Sequence, residues 1–193
     1  MGLDMYLMRA NLHGYTPEQA EAADDYYRMM EFNAKYPEYQ HTSMEGKDNP
    51  LLEGGVIEAF RSQYKQRYMA WDVEKRYPDY SSVFEQVGHW RKAYGIYGWF
   101  IENVQDGDEE FKIYTVSKEQ LEELKSVCES VLACNTLAET LLPPDIGWIY
   151  GSSEYDEYYY HTLQSTIEII DKVIAETNWD VETICYKASY PRL

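Results

Sequence analysis

The strongest constraint on this chain is a two-residue alternation at each of its ends. In residues 3–9, LDMYLMR, Leu3, Met5 and Leu7 share one face while Asp4 and Tyr6 share the other. Residues 180–190, DVETICYKASY, alternate again. A period of two belongs to a strand with one buried face. Two such segments predict neighbouring strands, which tie both ends of the chain into one sheet. Shorter alternating runs, FKIYTV at 111–116 and GWIYG at 147–151, predict further short strands.

The intervening sequence carries helical periodicity. Pro17 follows Thr16 and opens an Ala- and acid-rich helix over 17–35, which Pro37 ends. Residues 38–50 read as a polar loop. Phe60, Tyr64, Arg67, Tyr68 and Trp71 suggest a helix over about 56–76, closed by Pro78. Val83, Val87, Trp90, Tyr94, Ile101 and Val104 suggest another over about 82–105, weakened by Gly95 and Gly98. Two glycines one turn apart point to a close backbone or ligand. Ser117 with Gln120 forms a capping-box signature ahead of the stripe Leu121, Leu124, Val127, Cys128, Val131 and Leu132. Pro143 and Pro144 stop any helix continuing through 135–142. Ser153 is placed to cap a last helix reaching Glu176, with Tyr159, Leu163, Ile167, Ile170 and Ile174 inward. The fold class expected is α+β: a small antiparallel sheet including both chain termini, packed by four to five helices, in a single domain over 1–193.

Charge narrows the partners. The 193 residues carry a formal net charge of −17, with 19 acids against 6 bases in residues 101–193. Such a field repels nucleic-acid phosphates, whose binding needs Lys and Arg. It attracts a basic partner and speeds the encounter. Tyr, at 20 residues, supplies area with a polar tip and suits both cores and interfaces. No stretch approaches the roughly 18 to 20 apolar residues that a membrane span needs. Three cysteines, Cys128, Cys134 and Cys185, without a CxxC suit reduced thiols in a cytoplasm.

Three blocks carry a resemblance: MGLDMYL at the start, HWRKAYGIYGWF at 89–100 and YGSSEYDEYY at 150–159. Together with VSKEQLEEL at 116–124 and LLPP at 141–144, they resemble a family of small acidic proteins of bacterial phages and prophages. Residues 11–80 lie outside the resemblance. In related sequences a His often follows the Ile of the WRK block, where Tyr97 stands here. The resemblance implies an accessory gene product acting in the cytoplasm of a bacterial host cell, and no particular activity.

Two functional readings compete. The first is a non-enzymatic binding protein whose acidic, Tyr-rich surface occupies a basic groove of a host protein, as a nucleic-acid mimic does. A host defence nuclease such as a CRISPR effector is a natural target. The residues assigned to this surface are Glu119, Glu122, Glu123, Glu129, Glu154, Asp156 and Glu157. The second is a small enzyme or ligand-binding module with a pocket near Trp90, Arg91, Lys92 and Tyr155. Arg91 would supply a bidentate fork and Lys92 a point charge. Acids in the first turn of a helix also complement its dipole without any further role. Glu157 and His161 share a helix face, but His13, His41 and His89 are scattered, so the sequence assigns no metal or cofactor. No GxSxG, HExxH or EF-hand loop is present, and no catalytic residue is assigned.

Overall fold

A computed structural model describes residues 3–35, 37, 49–67, 80–144 and 155–189. In chain order the elements are β1 (Asp4–Ala10), α1 (Pro17–Lys35), α2 (Val56–Phe60), β2 (Lys65–Arg67), β3 (Tyr80–Ser82) and β4 (Glu85–Arg91). They continue with α3 (Tyr94–Val104), β5 (Tyr114–Val116), α4 (Lys118–Ala133), α5 (Ala138–Leu141), α6 (Glu157–Glu176) and β6 (Thr183–Ser189). Two compact units result: Met1–Arg9 with Gln86–Leu193, and Ala10–Glu85. Among the described residues no helix is long and apolar enough to cross a membrane.

The first unit is built on an antiparallel sheet of order β4-β1-β6-β5. The fold is α+β, and the strands from the two ends of the chain are the central pair, as the terminal alternation predicts. Its face toward the helices carries Leu3, Met5, Leu7, Ile184, Tyr186 and Ala188, all nearly inaccessible. Against these lie Leu121, Leu124, Cys128 and Val131 of α4, and Leu163, Ile170 and Val173 of α6. Phe100 of α3 stacks on Tyr186 with ring centroids 3.9 Å apart and planes 7° from parallel. The stripe on α6 is rotated slightly from the expected one. Thr166 and Val173 are buried, while Ile167 and Ile174 pack from its margin. The Ser117 capping box forms as expected, with Gln120 N–H donating to Ser117 Oγ at 3.1 Å.

The second unit groups α1, α2 and the antiparallel pair β2–β3, registered Lys65 to Ser82 and Arg67 to Tyr80. Phe60, Val56, Ala20 and Ala23 are fully buried there. Buried Asp24 accepts the Val83 amide and pairs with Arg28 at 3.2 Å. Gln63 clamps Asn11 from both sides, accepting its N–H at 3.1 Å and donating to its carbonyl at 2.7 Å.

Two expected helices are corrected. The helix over 56–76 ends at Phe60, and residues 65–67 are strand; the remainder, with Tyr68, Trp71 and Pro78, lies outside the described residues. The helix over 82–105 is strand β4 followed by α3. β4 is extended because it pairs with β1, and Gly88 lets that pair pack closely under α6. A Cβ at that position would sit 2.7 Å from Ile169 Cγ2 and 3.3 Å from Leu7 Cβ, so a bare strand position lets α6 approach. Lys92, at φ +55°, then turns the chain before α3 begins. The strand at 111–116 shortens to β5. The strand at 147–151, the Ser153 cap and most of the loop at 38–50 fall outside the described residues. The cap of α6 is Asp156, whose side chain accepts the Tyr159 N–H at 2.9 Å.

Leu124 and Ile170 are both fully buried between sheet and helices. Replacing either with Ala is expected to cost about 2 to 5 kcal/mol, read as a fall in urea midpoint. Midpoints equal to wild type would displace these helices from the core.

Candidate functional site

The turn between β4 and α3 is where the distinctive WRK block lies. The block does not act as one surface. Trp90 is buried and its indole N–H donates to Thr166 Oγ1 at 2.9 Å, so it fastens the strand to α6. Arg91 is exposed, and its guanidinium lies 3.8 Å from Asp4 of β1. Lys92 is exposed in a left-handed conformation, and its N–H donates to Leu3 O at 2.8 Å. Non-glycine residues seldom adopt this backbone region. Ala93 precedes α3 and offers no side-chain cap, in contrast to Ser117 at α4 and Asp156 at α6.

Gly95 confirms the expected close approach. A Cβ there would stand 2.9 Å from the Leu142 carbonyl oxygen. The same oxygen accepts the Tyr159 hydroxyl at 2.8 Å. Burial pushes the Tyr159 phenol well above its ordinary value, with Tyr155 and Tyr160 adding to the effect. Tyr155 meets Tyr159 edge-on, ring centroids 5.1 Å apart. Tyr158, exposed, donates its hydroxyl to the Arg91 carbonyl.

Between the start of α3 and the first turns of α6 lies a cavity of about 220 Å³. Lys92, Ala93, Tyr94, Gly95 and Ile96 line it from one side, and Asp156, Tyr158, Tyr159, Thr162 and Leu163 from the other, with Pro144 adjoining. Of the residues assigned to a pocket from sequence, Lys92 borders the cavity. Trp90 is in the core, while Arg91 and Tyr155 neighbour the lining residues.

The assigned acids divide. Glu119, Glu122, Glu123 and Glu129 are exposed on α4, and Asp156 and Glu157 are exposed at the start of α6. Glu154 lies outside the described residues. Lys118 lies 3.8 Å from Glu122, Lys125 lies 3.7 Å from Glu129, and Lys125 also bonds to Asp171 of α6. Glu119 is held below the usual carboxylate range by its backbone N–H and the Ser117 hydroxyl. Among the described residues no three His, Cys, Asp or Glu side chains form a group able to hold a metal ion.

One polar cluster was not legible from sequence. On the sheet face opposite the core, the buried Asp4 carboxylate lies 3.0 Å from His89 Nε2. The Tyr6 ring stacks on His89 with centroids 5.0 Å apart. Burial, then the nearby Asp4 charge, raises the Tyr6 phenol. Asp4 and His89 are 85 apart in sequence, and only strand pairing joins them; the alternation marked Asp4 and Tyr6 as one face but not their partner.

Comparison of the chain with family models, with curated proteins and with solved structures finds no match.

Two outcomes are expected. In an open helix Gly→Ala gains about 1 kcal/mol; Gly95→Ala should instead lower the thermal midpoint, because the new methyl meets backbone. A raised midpoint would remove the close approach. Burial also pushes the Cys128 thiol up to about 12, with Glu129 contributing. Its folded value thus exceeds the unfolded 9.0. Its contribution is complete below pH 9 and is lost as pH rises, because the unfolded chain releases a proton that the fold retains. Tyr159 and Tyr186 act in the same direction from their higher starting value of 10.0. Urea midpoints should therefore decline from pH 9 to 10, and less steeply in Cys128→Ala. Equal slopes would contradict the burial of this thiol.

Proposed function

We propose that this chain is a phage accessory protein that acts without catalysis, binding a basic groove of a bacterial host protein through the outer faces of α4 and α6. The observation that carries the reading is the composition of that helical layer. Glu119, Glu122, Glu123 and Glu129 of α4 and Glu157, Glu168, Asp171 and Glu176 of α6 are exposed. Against them stand exposed Lys172 and the half-buried Lys118 and Lys125. Acids arrayed on two packed helices present a fixed negative field, which steers a cationic partner and fixes its register. The exposed Tyr158 adds the amphipathic area that interfaces favour. A nucleic-acid-binding groove is the basic surface such a field suits, and a host defence nuclease such as a CRISPR effector is the target class that this reading favours.

A second reading is supported by the cavity beside Lys92. A space of about 220 Å³ lined by apolar and aromatic side chains with a few polar groups has the composition of a small-molecule site. It is smaller than the roughly 300 to 1,000 Å³ of drug-sized pockets.

Capture from a bacterial lysate at low and high salt would supply the partner, and association rates would then test the mechanism. Neutralising Glu122, Glu123 and Glu129 together as Gln should slow association more than it speeds release, with little change in thermal midpoint. A partner that associates equally fast at low and high salt and ignores the triple change would rule out recognition through this layer.

A further inference from the structure

We propose that the cavity between α3 and α6 binds a free α-amino acid with an aliphatic side chain of about leucine size. This rests on the small-molecule reading of that cavity and names its ligand class. The lining sorts by chemistry. Ala93, Ile96, Tyr159 and Leu163 are buried and form an apolar floor. Lys92 and Asp156 are exposed at its border, one cation and one anion on different elements. Lys92 makes no ion pair among the described residues, in a chain whose net charge is −17. Asp156 spends one carboxylate oxygen on the Tyr159 amide. A carboxylate has about four lone-pair sites, so acceptor capacity remains for an ammonium group.

A ligand with one charge would satisfy half of this border. A bare anion meets Lys92 but is repelled by Asp156, and a bare amine meets the reverse. A neutral apolar molecule fills the floor and engages neither charge. A zwitterion answers both at once, its carboxylate toward Lys92 and its ammonium toward Asp156, with the aliphatic group on the floor. Size sets the side chain. A cavity of about 150 Å³ takes benzene. Scaled to about 220 Å³, the space holds roughly nine non-hydrogen atoms, the size of leucine, isoleucine or methionine. Glycine leaves the floor empty, and tryptophan overfills it.

The test is calorimetric titration of the intact protein with leucine, with 4-methylpentanoate, which lacks the amine, and with 3-methylbutylamine, which lacks the carboxylate. Leucine should bind at least tenfold more tightly than either analogue. Lys92→Met and Asp156→Asn should each weaken leucine at least tenfold. Asn retains a side-chain oxygen for the α6 cap, so the thermal midpoint of Asp156→Asn should hold while binding falls. Leucine and 4-methylpentanoate binding equally, or Asp156→Asn leaving leucine unaffected, would overturn the amino-acid class and keep the cavity as a ligand site. No binding of these three compounds or of inorganic phosphate would overturn both.

Discussion

The structure of the first unit depends on one long-range pairing, β1 against β6, because both flanking strands are added to that central pair. The apolar side chains of these two strands form the centre of the face that the helices cover. Pairing residues so far apart is slow to form, since loop closure must precede the contacts that reward it. What compensates is the depth of burial on that face, where Leu3, Met5, Leu7, Ile184 and Tyr186 are fully inaccessible. The α4–α6 layer then has a rigid floor, and its acids acquire a fixed arrangement through it.

A second dependence is local. The Leu142 carbonyl is met by the Tyr159 hydroxyl and by the bare backbone of Gly95. One oxygen thus fixes the end of α5, the start of α6 and the first turn of α3 relative to each other. The cavity opens beside this junction, with both Gly95 and Tyr159 in its lining.

Much of this was legible in the sequence where one periodicity ruled. The helix at 17–35, the capped stripe from Ser117 and the two terminal strands each follow a single clear period. The segment 82–105 misled because Val83, Val87, Trp90 and Tyr94 fall at spacings of four, three and four residues, which imitate a helix face. The deciding facts were tertiary: the pairing of β4 with β1 and the turn at Lys92. The cap at Asp156 was missed for a related reason, since Ser153 satisfies the same local rule three residues earlier. For the site, Gly95 announced a close neighbour but not which one. Lys92 was marked by its charge, while its place beside the cavity came from α6. Trp90, also assigned to a pocket from sequence, proves to be a fastener of the core.

The central position of β6 has a consequence for how the chain is made. Synthesis delivers β1 first, and β4 can join it once residue 91 has left the ribosome. The other edge of β1 stays open until residues 183–189 follow. At about 5 to 20 residues per second, the stretch from residue 91 to the end of β6 takes roughly five to twenty seconds. Throughout it, Leu3, Met5 and Leu7 lack their β6 neighbours. A nascent chain of this kind presents an open strand edge for that time, the kind of surface on which chains associate wrongly unless it is shielded.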